Sequence, residues 1–386
     1  MTIKLIMLGA AASMLSLSAA YGADLPMTKA EAVEYVKVCS AFGPGFFYIP
    51  GSDTCLQISG QIRADYFYTQ PHSRNDDQTT FRSQARIRFD ARTDTDYGLL
   101  RSFFEIQADT NGTANTFAVR RAYLQFGGLT AGFAWSPFSF YDQYYGDTFF
   151  APYYGEQGRR TLLSYTAQFG KAWAALSVED SRQHQSGSSF GGANGAFGGS
   201  QVPDVVGVVG YDDNKSGWGR VQVMGAVHQN RTADNRYDSK YGYALGVGGN
   251  VNIPVLSGGY IAVEADYADG AVKYLNAGSA DAYATKTAPF DLDRSKGFSV
   301  EGEAGLNFTP ALQGILFGSY IKYDAPSIAT KISDNFRAYV FGGQLNYTIV
   351  KGFIAGAEVW YQDKDPEGTS SNVHSVGAGM RLRRTF

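Results

Sequence analysis

The sequence predicts an all-β protein, a transmembrane antiparallel up-and-down β-barrel of about sixteen strands. Three observations lead there. The first is Phe81–Arg92, where Phe81, Ser83, Ala85, Ile87, Phe89 and Ala91 alternate with Arg82, Gln84, Arg86, Arg88, Asp90 and Arg92. Successive strand side chains point to opposite faces, so this ribbon has one apolar face and one charged face. At about 12 residues it is long enough to cross a bilayer as a tilted strand. The second is the order of the connections. Short ones (Gly127-Gly128, Gly170-Lys171, Asp212–Ser216, Pro254–Gly258, Thr309-Pro310, Val350–Gly352) alternate with long ones (Gln70–Gln78, Thr110–Thr116, Ser136–Gly158, Ser181–Pro203, Asn230–Lys240, Ala268–Lys296, Asp324–Asn335, Asp363–Asn372). A barrel with turns at one rim and loops at the other produces that alternation. The third is that the chain ends on a strand, Val373–Phe386, which is free to close on the first.

Taken in order, the chain begins with Lys4, an apolar run from Leu5 to Ala20, and small residues around Tyr21. This is the pattern of a cleaved secretory signal over 1–22, with Ala23 as the mature N-terminus. No run approaches the roughly 18 apolar residues of a spanning helix. Residues 23–54 form a separate segment, with a short helix expected over Lys29–Val38 and a Gly, Pro and aromatic-rich stretch from Phe42 to Gly51. We read it as a periplasmic plug or cap. Its Cys39 pairs with Cys55 in the oxidising compartment that export implies, two free thiols being the alternative. The net charge of −3 gives no argument for nucleic-acid binding.

From Leu56 to the C-terminus, the barrel region 55–386, the period is two. In Leu56–Tyr68, Leu56, Ile58, Ile62, Ala64, Tyr66 and Tyr68 oppose Gln57, Ser59, Gln61, Arg63 and Asp65. In Leu99–Asp109, Leu100, Phe104 and Ile106 oppose Arg101, Phe103, Glu105 and Gln107. Further strands are expected near Phe117–Phe126, Leu129–Trp135, Arg160–Phe169, Ala172–Asp180, Asp204–Tyr211, Gly217–Gln229, Tyr241–Ile253 and Gly259–Tyr267. Gly297–Phe308, Ala311–Tyr323, Phe336–Ile349 and Phe353–Gln362 precede the terminal strand. In that strand Val376, Ala378, Met380 and Leu382 form the outer face, and Arg384, also outward, snorkels to the headgroups. Closing on the first strand leaves no unpaired edge in lipid.

Glu31–Tyr66, Val119–Gly128 (VRRAYLQFGG), Leu129–Phe138 (LTAGFAWSPF) and the terminal strand ending in Phe386 together resemble the alphaproteobacterial general porin family. The resemblance spans essentially the whole mature chain, and the cysteine-bracketed segment is its most specific part. It implies a sixteen-stranded outer-membrane barrel, a homotrimer, whose third long loop folds inward and which passes small hydrophilic solutes. It also implies that Phe386 is part of the signal read by the outer-membrane assembly machinery. Ser136–Gly158 lacks the PEFGG-type sequence of enterobacterial porins, so loop acids do not transfer from that group.

Inward arginines recur on the first four strands: Arg63, Arg82, Arg86, Arg88, Arg92, Arg101 and Arg121. With strands under about 5 Å apart they form a basic patch. Asp142, Asp147 and Glu156 of the third loop are the expected facing acids, giving a transverse field that aligns polar solutes. Gly187–Gly191 matches G-x-S-x-G but lies in a Gly/Ser tract with no strand before it or helix after it, so no catalytic residue is expected. His72, His184, His228 and His374 are scattered, and neither a metal nor a cofactor is expected. The sequence therefore points to passive diffusion through a water-filled outer-membrane pore, in contact with lipid and lipopolysaccharide. The alternatives are a substrate-selective channel for a sugar or anion on the same barrel, and a soluble exported carbohydrate-binding protein or hydrolase.

Overall fold

The computed structural model describes residues 37–71, 73–146, 148–155, 158–185, 190–192, 195–214, 217–327, 335–367 and 372–386. They form a closed antiparallel barrel of sixteen strands. These are β1 (Cys55–Thr69), β2 (Thr79–Thr95), β3 (Gly98–Asn111), β4 (Ala114–Phe126), β5 (Leu129–Trp135), β6 (Arg159–Phe169), β7 (Ala172–Glu179) and β8 (Asp204–Asp212). The second half comprises β9 (Gly219–Asn230), β10 (Lys240–Ile253), β11 (Gly259–Asp269), β12 (Lys296–Asn307), β13 (Leu312–Asp324), β14 (Phe336–Val350), β15 (Phe353–Pro366) and β16 (Val373–Thr385). Each pairs with its neighbour in sequence, and β16 closes on β1 with Gln61 opposite Thr385 and Thr69 opposite Gly377. Phe386 completes the seam: its N–H donates to Gly60 O at 3.1 Å, and the Gly60 N–H returns to Phe386 O at 2.9 Å.

The outer face carries exposed Leu163, Val209, Val223, Leu245, Leu316 and Val359, an apolar band that water would not tolerate at this extent. Aromatics flank it at both rims, Tyr97, Phe169, Tyr211, Trp218 and Tyr347 at the turn side and Phe81, Phe117, Tyr241, Tyr339 and Phe341 at the loop side. Such girdles suit the two membrane interfaces, where a ring sits between apolar and wet surroundings. Among the described residues no helix is long and apolar enough to cross a membrane.

One connection differs from the sequence expectation, and one outward arginine has a further partner. Thr110–Thr116 is not a long loop: β3 and β4 run through it to a tight Gly112-Thr113 turn, with Gly112 at φ +58. An Asn-Gly pair favours such a turn because glycine takes the left-handed conformation without a Cβ clash. Arg384 lies at the turn rim and donates to the Lys351 carbonyl at 2.8 Å, so it also caps a turn.

At the turn rim, Phe46–Tyr48 pairs antiparallel with Cys55–Gln57, extending the sheet where β16 leaves β1 unpaired. Val38 bridges Phe47 in extended form. The rest of the expected helix, 29–36, and the signal segment lie outside the described residues. Cys39 and Cys55 are bonded and fully buried beside Phe46.

Part of the barrel interior is filled. Phe138, Phe140 and Tyr141 from the connection after β5 pack with Val272, Tyr274 and Leu275 from the connection after β11. Both groups rest on Val206, Val208, Met224 and Ala226 of β8 and β9. The third long loop folds inward as the sequence resemblance implied. The sixth does so as well, which the sequence did not suggest.

Candidate functional site

The inner faces of β1–β4 form the arginine wall. Its guanidinium groups gather around carboxylates on the same or a neighbouring strand, because inward residues alternate along each strand and antiparallel pairing brings those of adjacent strands side by side. Asp65 receives Arg82 at 3.0 Å, Arg63 at 3.3 Å and Arg381 of β16 at 2.7 Å. Glu105 receives Arg88 and Arg121, each at 2.7 Å. Asp90 receives Arg92 at 2.7 Å and Arg101 at 2.8 Å. Arg86 has no such centre: its nearest acid is Glu105 at 3.6 Å, and its short contacts go to the Gln107 amide oxygen at 2.8 and 3.1 Å.

Arg120 joins this wall through a bulge. Strict alternation along β4 would send one residue of the Arg120-Arg121 pair into lipid. Between β3 and β4 the register shifts, so that Glu105 opposes Arg121 while Ile106 opposes Val119. The extra residue lets both arginines turn inward, which is what bulges do to side-chain direction. Arg120 then donates to the same Gln107 oxygen at 3.1 Å. The apolar register also switches across the pair, from Phe117 and Val119 to Ala122 and Leu124. That switch is the sequence signal that could have revealed the bulge.

Opposite stands the third loop, with a single helical turn, Tyr141–Tyr144. Its backbone N–H groups would be orphaned at this depth, and buried wall carboxylates accept them. Glu264 of β11 takes the Tyr141 N–H at 2.6 Å. Glu303 of β12 takes the Gly146 N–H at 3.1 Å and the Tyr141 hydroxyl at 2.9 Å. Glu358 of β15 takes the N–H groups of Phe149, Phe150 and Ala151, the last two at 2.8 Å. Arg381 closes the anchor, donating to Phe149 O at 3.0 Å and lying 4.3 Å from the Phe149 ring centre. A Cβ on Gly248 would stand 2.5 Å from the Phe140 ring, so the wall leaves a socket there.

Between loop and wall lie two open chambers that share Trp135, Gln143 and Tyr144 in their linings. One, of about 740 Å³, is bordered by Arg63, Arg82, Arg86, Arg88, Arg120 and Arg383, with Asp109 and Asp142. The other, of about 640 Å³, lies toward the turn rim and is bordered by Arg101, Arg121, Lys171, Asp212, Asp213 and Arg220. Residues 24–381 match a family profile described as the porin subfamily.

This chain belongs to the porin subfamily. Porin Omp2b of Brucella suis biovar 1 (strain 1330) is 32% identical over 269 residues, 66% of this chain and 71% of that porin. Among solved structures, the outer membrane channel DcaP of Acinetobacter baumannii has a TM-score of 0.70 at 16% identity, covering 88% of this chain and 99% of that one. A trimer form of the outer membrane protein OmpT of Vibrio cholerae has a TM-score of 0.55 at 13% identity, covering 87% and 100%. The protein is an outer-membrane porin channel.

In this porin, Arg63, Arg82, Arg86 and Arg88 border the larger chamber, while Arg101 and Arg121 border the turn-side one. Asp142 borders the larger chamber, and its Oδ1 accepts from the Tyr153 hydroxyl at 2.8 Å. Burial pushes this carboxyl above its ordinary range. Asp147 and Glu156, and residues 187–189 of the G-x-S-x-G match, lie outside the described residues. The sequence reading missed Arg120 and the anchoring acids Glu264, Glu303 and Glu358. Glu264 and Glu358 are nearly inaccessible and serve the loop backbone, while Glu303, which also binds the loop, borders a further chamber of about 450 Å³ that Arg383 shares.

Proposed function

We propose that this porin supports passive diffusion of small hydrophilic solutes along a water-filled path between the arginine wall and the third loop. The observation that carries this reading is the pair of adjoining chambers along the arginine wall, extending round to β9 and β16, beside a barrel interior partly filled by apolar loop residues. Arg63, Arg82, Arg86, Arg88, Arg101, Arg120 and Arg121 are its basic lining. Asp142, with Asp147 and Glu156 of the same loop, supplies the facing charge. Polar solutes keep hydrogen-bond partners along such a lining, whereas apolar ones lose water without compensation.

Short turns face the periplasm in such barrels, so the cysteine-bonded segment within residues 23–54 sits at the periplasmic mouth. Three copies assemble as a homotrimer, in keeping with the trimer form of OmpT. Lipopolysaccharide and phospholipid cover the outer band, Phe386 serves assembly, and the protein catalyses no reaction. Planar-bilayer recording tests the path: Arg86→Glu or Arg88→Glu shifts the reversal potential toward cation selectivity. Unchanged selectivity and conductance in both variants would remove these residues from the narrow path.

A further inference from the structure

The arginine wall has an internal comparison built into it. Three of its clusters are organised around a carboxylate: Asp65 for Arg63, Arg82 and Arg381, Asp90 for Arg92 and Arg101, and Glu105 for Arg88 and Arg121. The fourth, Arg86 and Arg120, is organised around the neutral oxygen of Gln107. Three N–H groups converge there, Arg86 Nε at 3.1 Å, a terminal nitrogen of Arg86 at 2.8 Å and one of Arg120 at 3.1 Å. Glu105, the nearest carboxylate, is already shared by two other arginines. The Gln107 amide nitrogen is turned away to Asp109 at 2.5 Å.

Arg86 reaches a carboxylate only at 3.6 Å, and that acid, Glu105, already holds Arg88 and Arg121 at 2.7 Å, so the two half-buried guanidinium groups on one neutral acceptor are under-compensated. Arg120 Nε is buried and has no hydrogen-bond partner among the described residues, and Arg120 makes no ion pair among them. Like charges held together at reduced dielectric cost free energy unless an opposite charge visits. Planar guanidinium forks match oxyanions in two-bond geometry, and two forks match a doubly charged one best. Arg63, Arg82, Arg88 and Arg383 border the same chamber.

Resting on the channel reading, we propose that Arg86 and Arg120 form a binding subsite for small doubly charged oxyanions, of which inorganic phosphate is the simplest. The dianion bridges the two forks over Gln107, and the remaining wall arginines guide it in and out. The porin then prefers anions, and a dianion transiently occupies the path and slows chloride.

The test is single-channel recording of the detergent-extracted, folded protein in potassium chloride at about pH 8, where phosphate is chiefly dianionic. Phosphate or acetate is added at matched ionic strength. The wild type is expected to give an anion-selective reversal potential and a saturable fall in conductance with phosphate but not with acetate. In Arg120→Gln the half-blocking phosphate concentration rises about tenfold, the loss of one charge-assisted pair of bonds. Gln107→Glu supplies the missing carboxylate centre, should preserve folding, and removes the block. Arg337→Gln, an outer-surface arginine paired with Asp365 at 2.8 Å, loses the same charge and leaves the block intact. Equal block by acetate and phosphate, or unchanged block in both Arg120→Gln and Gln107→Glu, overturns the subsite while the channel stands. Folded protein without conductance overturns both.

Discussion

At the residue scale, charge placement follows from which strands are neighbours. An inward arginine on one strand meets whatever stands opposite it, and on β1–β3 that is repeatedly an acid two strands' width or less away. Asp65 is the strongest case, because three arginines from three strands converge on it. Glu358 plays a different part, since it accepts three successive backbone N–H groups of the third loop. Hydrogen bonds to a charged group are worth about 1.5–3 kcal/mol each. Glu358→Ala should therefore release this end of the loop while the barrel still forms. Single-channel traces of the variant should show higher and noisier conductance; wild-type traces would contradict an anchoring role. Individual anchors of this kind were not legible in the sequence. Glu264, Glu303 and Glu358 read simply as inward polar positions, and nothing local says that a loop from more than a hundred residues away will cover them.

At the element scale, strands and turns were readable because their physics is local. The apolar-polar alternation of β1, β2 and β3 and the glycine-containing turns mark themselves. The Thr110–Thr116 connection misled because polar residues there continue the strands, and only Asn111-Gly112 carries the turn. In β8, expected as a strand, Val206 and Val208 face inward although the barrel interior is nominally wet. They are covered by the third and sixth loops, which makes that strand apolar on both faces. Gly248→Val tests the docking, since any side chain there meets Phe140. We expect altered conductance and weaker protection of the 138–146 backbone in hydrogen exchange, and unchanged exchange would argue against the socket.

The sixth loop has a titratable fastening. His184 is fully buried, stacked on Tyr274 with ring centres 4.5 Å apart, and its Nε2 meets Glu179 Oε2 at 2.7 Å. Arg160 Nε donates to its Nδ1 at 3.4 Å, so the neutral ring carries its proton on Nε2. Burial, reinforced by Arg160, holds the His184 pKa well below its ordinary value of 6.5. A group whose folded pKa is depressed in this way stays neutral when folded and takes up a proton when released. Its contribution is fully present above about pH 6.5 and is lost as pH falls toward the folded value. Protection of the 272–276 amides, relative to their intrinsic exchange rates, should fall between about pH 7 and 5 in the wild type and much less in His184→Gln. An equal fall in both would assign the effect to other groups.

At the scale of the whole molecule, closure is what permits the fold in a membrane: β16 pairs with β1, and no strand edge meets lipid. Phe386 belongs to that seam through its backbone bonds to Gly60. Deleting it should lower the yield of folded, heat-modifiable barrel in refolding into detergent, and an unaffected yield would confine its part to recognition in the cell. The alternation of short and long connections made this architecture legible before any coordinate was known. What it could not convey is that two loops fill part of the barrel interior and leave open chambers against the arginines. That asymmetry is the centre of the account.

The most direct measurement of it is the reversal potential of the wild-type channel across a potassium chloride gradient, recorded at single-channel resolution. Ohmic openings with a reversal potential on the anion side are the expected result, because the chambers along the arginine wall are bordered by more basic than acidic side chains. Cation selectivity from the same openings would mean that solutes travel elsewhere, and would contradict it.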